Sequence, residues 1–83
     1  MANQFTGTPQ IKTRTAVLVF VKGASAPVVL YVENPQELFD EIQQLIKTPS
    51  GTIIDKTANG PIRRFCVPAS QISAVAMQDE QYV

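Results

Sequence analysis

At 83 residues, with seven basic and seven acidic side chains and no net charge, the chain gives no global reason to seek nucleic acid or an anionic membrane. One cysteine excludes an internal disulfide, and no apolar run nears the roughly 18 residues that span a bilayer. The absence of histidine removes Ser-His and Cys-His nucleophiles and histidine-held metals.

The hydrophobic fraction is 45% and the charged fraction only 17%, where about 25% charged is usual for a soluble domain. A chain this short has a thin core, so its Val- and Ile-rich segments carry more apolar surface than one helix can cover. The composition therefore points to self-association. The N-terminus lacks the basic start and apolar stretch of a signal peptide, and a lone thiol suits a reducing compartment, so a cytoplasmic protein with no membrane contact is expected.

Residues 1–10 are polar, contain Gly7 and Pro9, and are read as a flexible arm in which Phe5 alone could dock. Residues 11–79 form one α+β domain. Ile11 to Lys22 is a long first strand, apolar at every position from Ala16 to Val21, as in a strand covered on both faces. The loop from Lys22 to Pro27 leads to a second strand, Val28 to Glu33, and the short connection makes the pair an antiparallel hairpin.

Asn34 then caps a helix that Pro35 opens, since proline's missing N–H has no partner to lose at the first position. Glu37 sits where a capping box wants an acid. Leu38, Phe39, Ile42, Leu45 and Ile46 share an arc of roughly 120°, with the polar residues on the remainder. Pro49 stops the helix near Lys47. A third strand runs Thr52 to Thr57, and Asn59-Gly60 supplies the positive-φ residues of a two-residue hairpin turn. A fourth strand, Ile62 to Val67, meets a corner at Pro68–Gln71, and a fifth spans Ile72 to Gln78. From Asp79 the chain reads as polar, with residues 80–83 a tail ending in Tyr82-Val83, a terminus that a peptide-binding groove could take.

The order β-β-α-β-β-β implies a small antiparallel sheet with one amphipathic helix packed on one face. A helix covers a single face. The first strand carries Val17, Val19 and Val21 on one side and Ala16, Leu18 and Phe20 on the other. Either the sheet curls into a partial barrel, or a second copy covers the uncovered side. Val17, Val19, Val21, Leu18 and Phe20 are thus the candidate interface, with the side left open.

The four glycines are scattered and build no phosphate loop, and one cysteine builds no zinc knuckle or iron–sulfur cage. Cys66, in mid-strand, reads as a buried thiol, with Arg64 the one cation near enough to activate it. Glu37, Asp40 and Glu41 read as a solvated helix face rather than a catalytic or metal cluster, and no cofactor is expected. Lys56, Arg63 and Arg64 make one local basic spot, although Arg63 and Arg64 point to opposite faces. Phe65 and Tyr31 are the side chains on which unpaired bases could stack.

The segment from Ile62 to Met77, with its Val67-Pro68-Ala69-Ser70-Gln71-Ile72 corner, resembles the ending of several small uncharacterised bacterial proteins. Those have a strand hairpin, a helix and closing strands joined by a Val-x-Ala-x-x-Ile corner. The resemblance implies the same element order from the first hairpin onward and transfers no functional residue.

The leading expectation is a non-enzymatic homo-oligomeric interaction or structural module, a dimer or higher closed assembly, with a protein partner open. The alternatives are a weak nucleic-acid-binding module using Lys56, Arg63 and Arg64, or a small-molecule-binding protein with a pocket between helix and sheet.

Overall fold

A computed structural model describes residues 12–48 and 51–82. The expected arm, with Phe5, and the terminal Val83 lie outside them. The architecture is α+β, with the element order expected. Strands β1 (Lys12–Val21) and β2 (Val28–Leu30) precede helix α1 (Pro35–Lys47). Strands β3 (Ile53–Thr57) and β4 (Arg64–Pro68), a 3-10 turn (Ala69–Gln71) and β5 (Ile72–Tyr82) follow.

The strands form two antiparallel sheets rather than one: a three-stranded sheet ordered β2-β1-β5 and a two-stranded sheet of β3 and β4. Among the described residues the first strand therefore lies between the second and the last. Directly opposed residues of an antiparallel pair share a face. Val17 opposes both Leu30 and Met77, and Val19 opposes both Val28 and Val75. These residues form the inner face. Leu18 opposes Val29 and Ala76, and Phe20 opposes Ala74, on the outer face. A register shift between Phe20 and Val21 brings Ile72 back inward opposite Val21.

The helix starts as the sequence dictates. The Glu37 N–H donates to Asn34 Oδ1 at 3.4 Å, a long cap, and Pro35 occupies the first turn. At the other end the Thr48 N–H donates to the Gln44 carbonyl at 2.9 Å. Leu38 and Ile42 are buried against Val17, Val19 and Leu30. The β3–β4 hairpin closes the same core from beside the helix, turning Ile54 and Val67 inward, with Ala69 and Ile72 at its base. The Ala69 N–H donates to the Thr52 carbonyl at 2.9 Å, and the Lys22 N–H to the Gln71 carbonyl at 2.8 Å, which fixes the corner where β4 passes into β5. Helix and hairpin together cover the inner face. On the outer one the hairpin reaches only the Tyr31 end, with its tip.

Three further expectations need correction. The turn at Asn59-Gly60 is not a two-residue hairpin turn. Only Gly60 has positive φ (117°), and the connection is closed from Ala58 N–H to the Arg63 carbonyl at 2.8 Å. Pro61 explains this: a two-residue turn would need an N–H at that position for the first ladder bond, and proline has none. The polar end is not a tail. Strand β5 continues to Tyr82 and pairs Asp79, Glu80, Gln81 and Tyr82 with Thr15, Arg14, Thr13 and Lys12. Complementary side chains hold that ribbon, with the Thr15 hydroxyl donating to Asp79 Oδ1 at 2.9 Å. The third correction is Cys66, which is exposed. It shares the outward side of the hairpin with Asp55 and Arg64, because Val67 and Ile54 take the inward side.

Candidate interaction surface

The expected interface residues of β1 separate by parity. Val17 and Val19 have no exposed surface and belong to the core, and Val21 is half-buried against it. On the other side Leu18 is half-buried and Phe20 is 36% exposed. Val29 from β2 and Ala76 from β5 are half-buried beside them, and Ala74 is exposed. The result is an uncharged apolar strip across three strands, bounded by Ser73 and Gln78. Strand positions, not proximity in sequence, assemble it.

At its far end the outer face is sealed. Arg14 stacks on the Tyr31 ring, 3.9 Å from the centroid. Glu80 Oε1 accepts from the Tyr31 hydroxyl at 2.8 Å and from Arg14 Nε at 3.3 Å. The hydrogen bond to Glu80 is the main reason the Tyr31 phenol titrates above its ordinary value; partial desolvation adds to it and the Arg14 charge opposes it. The hairpin tip docks here too. The Asn59 N–H donates to the Tyr31 carbonyl at 2.6 Å, and Gly60 lies so close that a Cβ there would sit 2.9 Å from Tyr31 Cδ2. Ala16, on the same face between Arg14 and Leu18, is fully buried.

The basic spot does not assemble. Lys56 Nζ pairs with Glu41 Oε1 at 2.8 Å, tying β3 to the helix. Arg64 makes a two-pronged contact with Asp55, Nη2 to Oδ2 at 2.6 Å and Nε to Oδ1 at 2.8 Å. That contact holds the Asp55 carboxyl below its ordinary value and raises the guanidinium above its own. Arg63 is exposed in the connection before β4. Of the two aromatics, Phe65 packs on the core from β4, and Tyr31 already stacks with Arg14.

The helix carboxylates point to solvent. Asp40 accepts from Gln36 Nε2 at 2.9 Å, and Glu41 is engaged by Lys56. Among the described residues, no three His, Cys, Asp or Glu side chains come together to hold a metal. A cleft of about 320 Å³ does open between the first turns of α1 and β3, lined by Glu33, Glu37, Glu41 and Lys56 around Val32 and Leu38.

Sequence reasoning missed Val29, Ala74 and Ala76 as parts of the surface, because only strand register places them beside Leu18 and Phe20. It also missed the Arg14–Tyr31–Glu80 cluster. Its signal was present: a Thr-Arg-Thr segment at one end of the chain and a Gln-Asp-Glu segment at the other are complementary in charge.

Architecture defines the class, an α+β protein in which no described helix is long and apolar enough to cross a membrane. No family model, curated protein or solved structure matches the chain, so the functional reading rests on its own residues.

Proposed function

We propose that this chain is a small non-enzymatic interaction module that self-associates through the outer face of its three-stranded sheet. One contrast carries the reading: Val19 is fully buried, and the next residue of the same strand, Phe20, is 36% exposed beside half-buried Leu18 and Val29. Full burial of an exposed large apolar side chain is worth about 1.5–3 kcal/mol, and the partly covered side chains of this strip stand to gain a fraction of that each. A second copy is the simplest cover, because a two-fold axis uses one patch twice. The lone thiol suits a reducing compartment such as the cytoplasm.

Light scattering coupled to size exclusion tests the reading. At about 100 μM the expected mass is that of two or more chains. The mass of a single chain at that concentration overturns it.

A further inference from the structure

Strand β5 is an edge of 11 residues with, among the described residues, no strand on its far side, whereas the opposite edge, β2, has 3. One bond shows which of its backbone groups are unused. The Lys22 N–H donates to the Gln71 carbonyl, on the β5 side of β1. Backbone groups alternate in direction along a strand, so Phe20, Leu18, Ala16 and Arg14 also turn theirs toward β5, where Ala74, Ala76, Gln78 and Glu80 oppose them. The residues between, Val75, Met77, Asp79 and Gln81, turn their N–H and C=O groups to the open edge. Proline and lysine, the usual guards of such an edge, are absent from β5.

Val75, Met77 and Asp79 place their side chains on the face that the helix covers, and at the edge that cover is incomplete. Met77 opposes Val17 yet is 38% exposed. Asp79 Oδ1 accepts from the Thr15 hydroxyl at 2.9 Å, and among the described residues no cation pairs with the carboxylate. A cleft of about 460 Å³ lies between these two side chains and the first turn of the helix, bounded by Thr15, Pro35 and Gln36. An apolar floor and an uncompensated acid thus stand beside a row of unused backbone groups.

We infer that the β5 edge takes an extended segment of a partner protein as an added antiparallel strand, with an arginine or lysine opposite Asp79 and an apolar residue opposite Met77. Main-chain bonds give such a strand its hold, and alternate side chains give it specificity. Directly opposed side chains start about 5 Å apart, near enough for the cation to meet Asp79 and the apolar residue to cover Met77. In an antiparallel strand the cation comes first and the apolar residue two positions later. A second copy of β5 does not supply this, because Ile72–Tyr82 holds no basic residue. The inference goes beyond the self-association reading and uses a different surface: the strip of Leu18, Phe20 and Val29 lies on the opposite face.

The probe is a blocked peptide, acetyl-Thr-Thr-Arg-Thr-Val-Val-Thr-amide, added to isotope-labelled protein up to about 1 mM. Its arginine is set opposite Asp79 and its first valine opposite Met77. The amide NMR signals of Val75, Met77, Asp79 and Gln81 should move most, ahead of those of Leu18 and Phe20. N-methylation separates an added strand from a loose electrostatic contact. Methyl groups on the arginine and the first valine, whose N–H groups face β5, should weaken binding at least about 10-fold. Methyl groups on the two threonines flanking the arginine, whose N–H groups face away, should leave it within about 3-fold. Asp79→Asn, which keeps an oxygen for Thr15, should weaken binding about 3-fold, and glutamate in place of the peptide's arginine at least about 5-fold. The mass of the free protein, which decides self-association, does not enter these readings. No shift at the highest concentration overturns the inference. Equal binding of the two methylated peptides, or of the arginine and glutamate peptides, overturns it too. Shifts concentrated at Leu18 and Phe20 overturn it by moving the peptide to the outer face. Val75 and Met77 amides that gain exchange protection as the free protein is concentrated overturn it by giving the edge to a second copy.

Discussion

The two faces of the three-stranded sheet are made of similar residues and meet different fates. Inside, Val17, Val19 and Leu30 have no exposed surface, because the helix and the β3–β4 hairpin both close on that side. Outside, Leu18, Phe20 and Val29 are as apolar and remain partly open. Hydrophobicity alone does not decide which residues become core. The decision is made by where the covering elements attach: both close on the inner side, and only the hairpin tip reaches the outer one, at Tyr31.

The sharpest way to break the contrast is a charge on each side of one peptide bond. Val19→Asp buries an unpaired carboxylate and should unfold the domain, since that cost rivals the 5–15 kcal/mol of a typical fold. Phe20→Asp should keep the circular dichroism spectrum and lose self-association. If both unfold the chain, the two faces belong to one core.

Next in size is the cover of the inner face. Ile42→Ala should cost about 2–5 kcal/mol in a denaturant melt. Glu41→Ala, one residue away on the solvent side, removes an exposed pair with Lys56 and should cost under about 1 kcal/mol. The reverse order would place the helix the wrong way round.

The sealed end of the outer face gives a smaller effect. Gly60→Val combines a positive φ with a collision against Tyr31 and should destabilise by about 1–3 kcal/mol. A neutral result in the same melt would detach the hairpin tip from the sheet.

The smallest effect is a titration. Phenolate absorbance in a Tyr82→Phe background should show Tyr31 ionising above its ordinary value, and Glu80→Gln should bring it down, because the bond to Glu80 is the largest cause of the rise. A raised folded-state value stabilises the neutral phenol. Its contribution is complete below the unfolded value near 10 and is lost as pH rises through the folded value. An unmoved Tyr31 in Glu80→Gln would deny the hydrogen bond.

The helix was legible because its signals are local: Asn34, Pro35 and the spacing of Leu38, Ile42 and Leu45 need no knowledge of the rest of the chain. The two-faced first strand was legible as a pattern. Which face would be the open one was not, since Val19 and Phe20 differ only in what lies beside them, and strand order sets that. The Asn59-Gly60 turn was misread because the pattern Asn-Gly was weighed without Pro61. The end of β5 was misread because polarity was taken for disorder, although Asp79 and Glu80 have partners some 65 residues back along the chain. Cys66 was misplaced inward because an apolar neighbourhood in sequence says nothing about parity on a two-stranded hairpin.

The pairing of the first strand with the last has a consequence for the chain's birth. A ribosome makes β1 well before β5, so the Ala16–Val21 run must wait for roughly 50 residues after Val21 before Ile72 and its successors reach it. Closing a loop of that size costs about 3–4 kcal/mol of chain entropy before any contact repays it. Until then the β1–β2 hairpin and the helix hold only part of the sheet together. The nascent chain therefore carries its stickiest segment incompletely covered until β5 emerges, and the three-stranded sheet completes only then.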